Sequence, residues 1–166
     1  MLIPLALTCL AALACSGSSL SRPPGQPKMN ESAPERLYPI FKKSKIGFID
    51  NRGRVAIEPQ FDSADDFSKG LAAVKVNHRY GFIDKTGRMV IEPQWQDAGS
   101  FLEGLARVGM VGMEDKSGFI DKTGQVVIKP QFDDAYEFHD GIAHVTVNGA
   151  VGYIDKAGKY VWQPSR

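Results

Sequence analysis

The four-residue pattern G-[FY]-I-D occurs at Gly47, Gly81, Gly118 and Gly152, at spacings of 34, 37 and 34 residues. Three full units read GFIDNRGRVAIEPQFDSADDFSKGLAAVKV, GFIDKTGRMVIEPQWQDAGSFLEGLARVGM and GFIDKTGQVVIKPQFDDAYEFHDGIAHVTV, and a partial fourth reads GYIDKAGKYVWQP. A period of this size is the strongest constraint on the fold. Each unit is too small to bury its own apolar faces, so it must bury them against its neighbours. The extra residues of the second unit fall in GMVGMEDKS, between Val108 and Gly118.

Each unit reads as three short strands. In the first, Phe48 and Ile49 lead to Asp50, with Gly53 three residues on. Asp can bond the backbone of a tight hairpin, and Gly can take its left-handed position, so I-D-x-x-G is read as a turn. The same spacing recurs at Asp84, Asp121 and Asp155. A second strand follows (Val55 to Ile57, Met89 to Ile91, Val126 to Ile128) and is expected to stop at Pro59, Pro93 or Pro130; since proline cannot donate to a ladder, it marks the strand end or an edge. Next come an aromatic (Phe61, Trp95, Phe132), an alanine (Ala64, Ala98, Ala135) and a phenylalanine (Phe67, Phe101, Phe138), read as anchors for the connecting loop.

The third strand opens at Gly70, Gly104 or Gly141 and alternates with period two. Ala72, Val74 and Val76 are expected to face inward, with Ala73 and Lys75 outward; the corresponding outward pairs are Arg107 and Gly109, then His144 and Thr146. The first two strands are apolar on both faces, which places them between neighbouring units. No helical stripe follows the leader. The expected fold is all-β: an array or ring of three-stranded units of about 34 residues, solenoid-like or propeller-like. Residues 37–43, LYPIFKK, place Ile40 seven residues before Gly47, as Val74 lies seven before Gly81. Pairing this segment with the C-terminal fragment would close a ring and remove an exposed edge.

The motifs GFIDKTG, VIEPQ, F-x-x-A and F-x-x-G-L-A-x-V resemble the WG-repeat family, also called KWG repeats. The resemblance covers about residues 37–164. The aromatic before the repeat glycine is present only as Tyr80; Ile46, Ser117 and Val151 hold that place elsewhere. Membership implies a bacterial protein, often exported or fused to other modules, built of β-rich units. It carries over no catalytic residue.

Residues 1–14, MLIPLALTCLAALA, form an uncharged apolar run too short to span a bilayer and suited to a secretory signal. LAALAC followed by SGSS resembles the lipobox of bacterial lipoproteins, which implies that Cys15 is lipidated. A plain cleaved signal and a buried N-terminal helix are the other readings. Cys9 and Cys15 are the only cysteines, so residues beyond 15 have no disulfide framework. Residues 15–36 are rich in Ser, Gly and Pro and read as a flexible tether ahead of a repeat domain at 37–166.

The 20 basic and 19 acidic side chains give a net charge of +1, too little to hold a polyanion, so neither nucleic acid nor an acidic membrane surface is an expected partner of the chain as a whole. Turn geometry accounts for the repeated Asp residues, and D-K-T-G supplies too few oxygens for calcium. Glu58 and Glu92 give way to Lys129 and Gln163 in the later units. His78, His139 and His144 lack metal-ligand spacing, and no nucleophile elbow, P-loop or dinucleotide fingerprint occurs. No catalytic, cofactor-binding or metal residue is therefore assigned.

Repeat arrays present variable outward positions on a common core, which suits binding. The expected function is an exported, lipid-anchored interaction module for a protein or glycan of the bacterial cell envelope. Its candidate contacts are Lys75, Trp95, Arg107, His144 and Trp162, with the insertion Gly109 to Ser117. Trp95 and Trp162 are included because each replaces a smaller side chain of its sister units. A spacer lipoprotein without a ligand is the alternative, and an envelope hydrolase ranks third.

Overall fold

The computed structural model describes residues 36–110, 112 and 116–163. The expected leader at 1–14, Cys15 as the expected lipidation site and the expected tether as far as residue 35 lie outside the described residues, as does part of the second-unit insertion. The described residues are all-β and form four antiparallel sheets. The first sheet holds β1 (Tyr38–Lys42), β2 (Lys45–Ile49) and β3 (Val55–Phe61). The second holds β4 (Ser63–Ala64), β5 (Leu71–Val76), β6 (Arg79–Asp84) and β7 (Met89–Trp95). In the third are β8 (Asp97–Ala98), β9 (Leu105–Gly109), β10 (Ser117–Asp121) and β11 (Val126–Phe132). The fourth consists of β12 (Asp134–Ala135), β13 (Ile142–Val147), β14 (Ala150–Asp155) and β15 (Tyr160–Trp162).

Sheets and sequence units are out of phase. Val74 stands opposite Gly81, Val108 opposite Gly118 and Val145 opposite Gly152, so the third strand of one unit pairs with the first strand of the next. Each sequence unit thus straddles two sheets, and neighbouring sheets share a continuous piece of chain. Residues 37–43 do occupy the third-strand place, with Ile40 opposite Gly47. Their partner is the hairpin that follows them and not the C-terminal fragment, whose β15 pairs with β14. The expected ring closure by that pairing is not made.

Packing runs from each sheet to the next. Phe48, Ile57 and Phe61 of the first sheet meet Ala72, Val74 and Ile83 of the second. Ala73, Phe82 and Ile91 of the second meet Ala106, Val108 and Ile120 of the third. Phe119, Ile128 and Phe132 of the third meet Ala143, Val145 and Ile154 of the fourth. The loop phenylalanines reinforce each seam as anchors: Phe67 lies 4.9 Å from Phe48, Phe101 4.8 Å from Phe82 and Phe138 4.8 Å from Phe119, ring centre to ring centre. One expectation is corrected here. Ala73, read as outward, is 1% exposed because the next sheet covers that face.

The prolines do not end their strands either. β3, β7 and β11 run through Pro59, Pro93 and Pro130 to the aromatic two residues on. The reason lies across the ladder, where the register slips between Tyr80 and Phe82. A Cβ on Gly81 would lie 2.5 Å from the Ile91 carbonyl oxygen and 2.8 Å from Pro93 N. The repeat glycine therefore permits a close backbone crossing, and the proline omits an N–H where the ladder is interrupted. Because β7 is the outermost strand of its sheet, the missing donor leaves no gap in a central ladder.

Candidate functional site

The repeated aspartates are structural. Asp121 Oδ1 accepts from the N–H of Thr123 (2.8 Å), the N–H of Gln125 (3.1 Å) and the Thr123 hydroxyl (2.6 Å). Asp84 makes the same set with Thr86 and Arg88. Asp50 and Asp155 accept the two equivalent backbone N–H groups. The threonine hydroxyl, helped by the backbone donors, holds the Asp84 and Asp121 carboxyls below the usual carboxylate value. At Asp50 burial works the other way, and the backbone N–H and guanidinium of Arg54 outweigh it. Glu58 and Glu92 are exposed and sit on separate sheets.

The candidate contact residues do not converge on one place. Trp95 is 3% exposed and belongs to the seam between the second and third sheets, as Phe61 (3%) and Phe132 (2%) belong to theirs. It is a core side chain and not a platform; the larger ring fills the same position from within. Its Nε1 has no hydrogen-bond partner. Lys75 is partly buried, with its ammonium 5.1 Å over the Tyr80 ring. Arg107 pairs with Asp97 at 2.6 Å. That pair lines a shallow cleft with Gln96, Gly109, Ser117 and Asp133 at the seam of the third and fourth sheets. Nearby, burial followed by repulsion from Asp97, Asp66 and Glu137 pushes the Asp65 carboxyl up.

His144 and Trp162 do share a face. His144 stands opposite Tyr153, and Tyr153 opposite Trp162, while the Tyr136 N–H donates to the His144 carbonyl at 3.0 Å. The four side chains form one row across the fourth sheet. Tyr136 and His144 stack at 5.0 Å and 10°, His144 and Tyr153 at 5.6 Å and 29°, and Trp162 closes the row edge-on at 6.3 Å and 62°. Tyr136 and Trp162 are each 50% exposed and Tyr153 38%, and Ile142 and Val151 extend the same face. Within the row, the His144 Nε2 is buried without a hydrogen-bond partner.

This row occupies positions that are covered elsewhere in the stack. The counterparts of Tyr136, His144, Tyr153 and Trp162 are Asp65, Ala73, Phe82 and Ile91 in the second sheet, and Gly99, Arg107, Phe119 and Ile128 in the third. There Phe82 and Phe119 are fully buried by the following sheet. Tyr136 and Tyr153 were not among the sequence candidates. A signal for them exists, since only the fourth sheet is aromatic at all four positions. Among the described residues, no group of three or more His, Cys, Asp or Glu side chains is placed to hold a metal ion, and no helix is long and apolar enough to cross a membrane.

Four sheets built from a single motif, stacked face to face and ending in an aromatic face, define an all-β repeat scaffold. The model of the WG containing repeat matches residues 46–78, 80–110 and 118–149, and the chain belongs to that family. A search of curated proteins gives no match.

Proposed function

We propose that this chain is an exported, lipid-anchored WG-repeat module that binds a partner at the bacterial cell envelope through the outer face of its fourth sheet. The observation that carries the reading is the row Tyr136, His144, Tyr153 and Trp162, in which Tyr153 and Trp162 are exposed where the sister positions Phe82, Ile91, Phe119 and Ile128 are buried, and Tyr136 is exposed beside a half-buried His144. Aromatic side chains give large contact area at low cost in side-chain entropy, which is why they dominate binding hot spots. Stacked rings turn their faces on one another, and Ile142 and Val151 add apolar area beside them. Such a surface suits an apolar protein patch. A glycan is the second reading, and the half-exposed Trp162 favours it, since a single tilted indole offers a face for a sugar ring. LAALAC ahead of a Ser/Gly/Pro-rich segment supports the anchor, with Cys15 as its acyl acceptor.

The test places a photo-crosslinking side chain at position 162 of the full chain in cells, with position 129 on β11 as control. Discrete adducts from 162, absent from 129 and reduced by Cys15→Ala, are expected. Equal adducts from both positions, or none from 162, would overturn the binding face. If Cys15→Ala fractionates with the membrane as the parent does, the lipid anchor is wrong.

A further inference from the structure

We propose that the hairpin joining β1 to β2 is a second contact surface, directed at an anionic lipid bilayer. The near-zero net charge of the chain hides a strong segregation. Residues 36–54 carry Arg36, Lys42, Lys43, Lys45, Arg52 and Arg54 against a single acid, Asp50, whereas residues 55–163 carry 11 basic and 16 acidic side chains. The first sheet is thus the positive end of an otherwise negative stack. An anionic surface would attract that end and repel the remainder, which sets an orientation as well as an affinity.

The hairpin tip has the composition of an interfacial wedge. Phe41 is 78% exposed, the most exposed large hydrophobic side chain among the described residues, and Lys42 and Lys43 follow it, both exposed. Lys45 is committed elsewhere, to Asp62 at 2.5 Å. The aromatic ring can enter the headgroup region while the lysine stems keep their charges at the phosphates.

Turn chemistry separates this tip from its sisters. Lys43 and Ser44 hold φ of 50° and 63°, Asn77 and His78 hold 49° and 65°, and Asn148 and Gly149 hold 50° and 76°. Two consecutive left-handed residues favour Asn and Gly, and both sister hairpins supply Asn at the first position. The Asn77 and Asn148 N–H groups also bond Asp62 and Asp133. The first hairpin puts a lysine in that place, against local preference, and such breaches concentrate where function requires them. Phe41 likewise replaces Lys75 and Thr146 of the sister hairpins.

This inference does not need the lipid on Cys15. Where the chain is anchored, the hairpin would set how the repeat domain lies against the bilayer rather than whether it stays there. The test therefore uses the full chain carrying Cys15→Ala, sedimented with vesicles of phosphatidylcholine alone or doped with phosphatidylglycerol. The parent should bind the doped vesicles more tightly than the plain ones, and added salt should remove that difference. Lys42→Gln with Lys43→Gln should weaken binding to the doped vesicles by roughly twenty-five-fold, at about fivefold per lysine near a charged surface. Phe41→Ser should weaken it several-fold, while Trp162→Ala and Lys129→Gln bind as the parent does. Equal binding of the parent to both vesicle types would overturn the proposal. So would parent-like binding of the double lysine variant or of Phe41→Ser, a loss with Trp162→Ala, or retention of a single-stranded oligonucleotide in place of vesicles. Residues 1–14 are common to every variant, so their own affinity for lipid cancels in the comparison.

Discussion

Phe82 and Tyr153 occupy the same place in the repeat and have different surroundings. Phe82 lies in the second sheet, fully buried, with the Phe101 ring tilted against it at 4.8 Å and the third sheet closed over it. Tyr153 lies in the fourth sheet, 38% exposed, between His144 and Trp162. The local strand geometry is the same, since each residue pairs with the third strand on one side and with the Ile91 or Trp162 strand on the other. What differs is the next sheet. In a stacked array a motif position is core or surface according to its neighbour, so the end sheets are where side chains are free to change without damage to packing. The first sheet follows the same rule from the other end, where Phe41 and Lys43 take places held by Lys75 and Asn77 in the second.

Filling the backbone crossing should damage the inner sheets more than any other single substitution. A Cβ on Gly118 would lie 2.5 Å from the Ile128 carbonyl oxygen and 2.6 Å from Pro130 N, with backbone and not flexible side chain on the receiving side. Gly118→Val should abolish cooperative unfolding of the stack, read by the loss of its thermal transition. Gly149→Val, whose Cβ meets nothing within 4 Å, carries only the strain of its φ of +76° and should leave a transition at somewhat lower temperature.

A smaller effect is expected at the turns, which inner and outer sheets share. Asp121→Ala removes three acceptor bonds from an exposed loop and should cost about 1 kcal/mol by denaturant titration. The pH dependence follows from the depressed Asp84 and Asp121 carboxyls. A folded-state value below the unfolded one gives stability that is fully present above the ordinary carboxylate value, near 4, and is lost as pH falls through the folded value. The parent should therefore lose stability below about pH 4, and Asp121→Asn should lose less over the same window.

Much of this architecture is legible in the sequence. The I-D-x-x-G turn and the loop anchors each follow from one residue's own chemistry and are found as read, whereas the third-strand alternation holds in β9 and β13 and is overridden in β5, where Ala72 and Ala73 are both buried. The unread features depend on a second segment. Pro93 looks like a strand stop until Gly81 is known to cross it, and Trp95 looks like a surface replacement until the third sheet is known to cover it. Alternation assigned His144 to a face, but which sheet follows that face is not a property of the strand. Ring closure failed for a related reason. Residues 37–43 carry the right pattern, and pattern alone does not choose between the hairpin that follows and one far along the chain.

The most direct test compares Phe82→Ala with Tyr153→Ala in one denaturant series on the same chain. Truncating a buried phenylalanine costs roughly 3–5 kcal/mol, and an exposed substitution of the same kind well under about 1 kcal/mol. Tyr153→Ala should therefore unfold close to the parent, while Phe82→Ala unfolds at much lower denaturant. Equal losses at the two positions would mean that the fourth sheet is covered as the second is, and would contradict an open aromatic face.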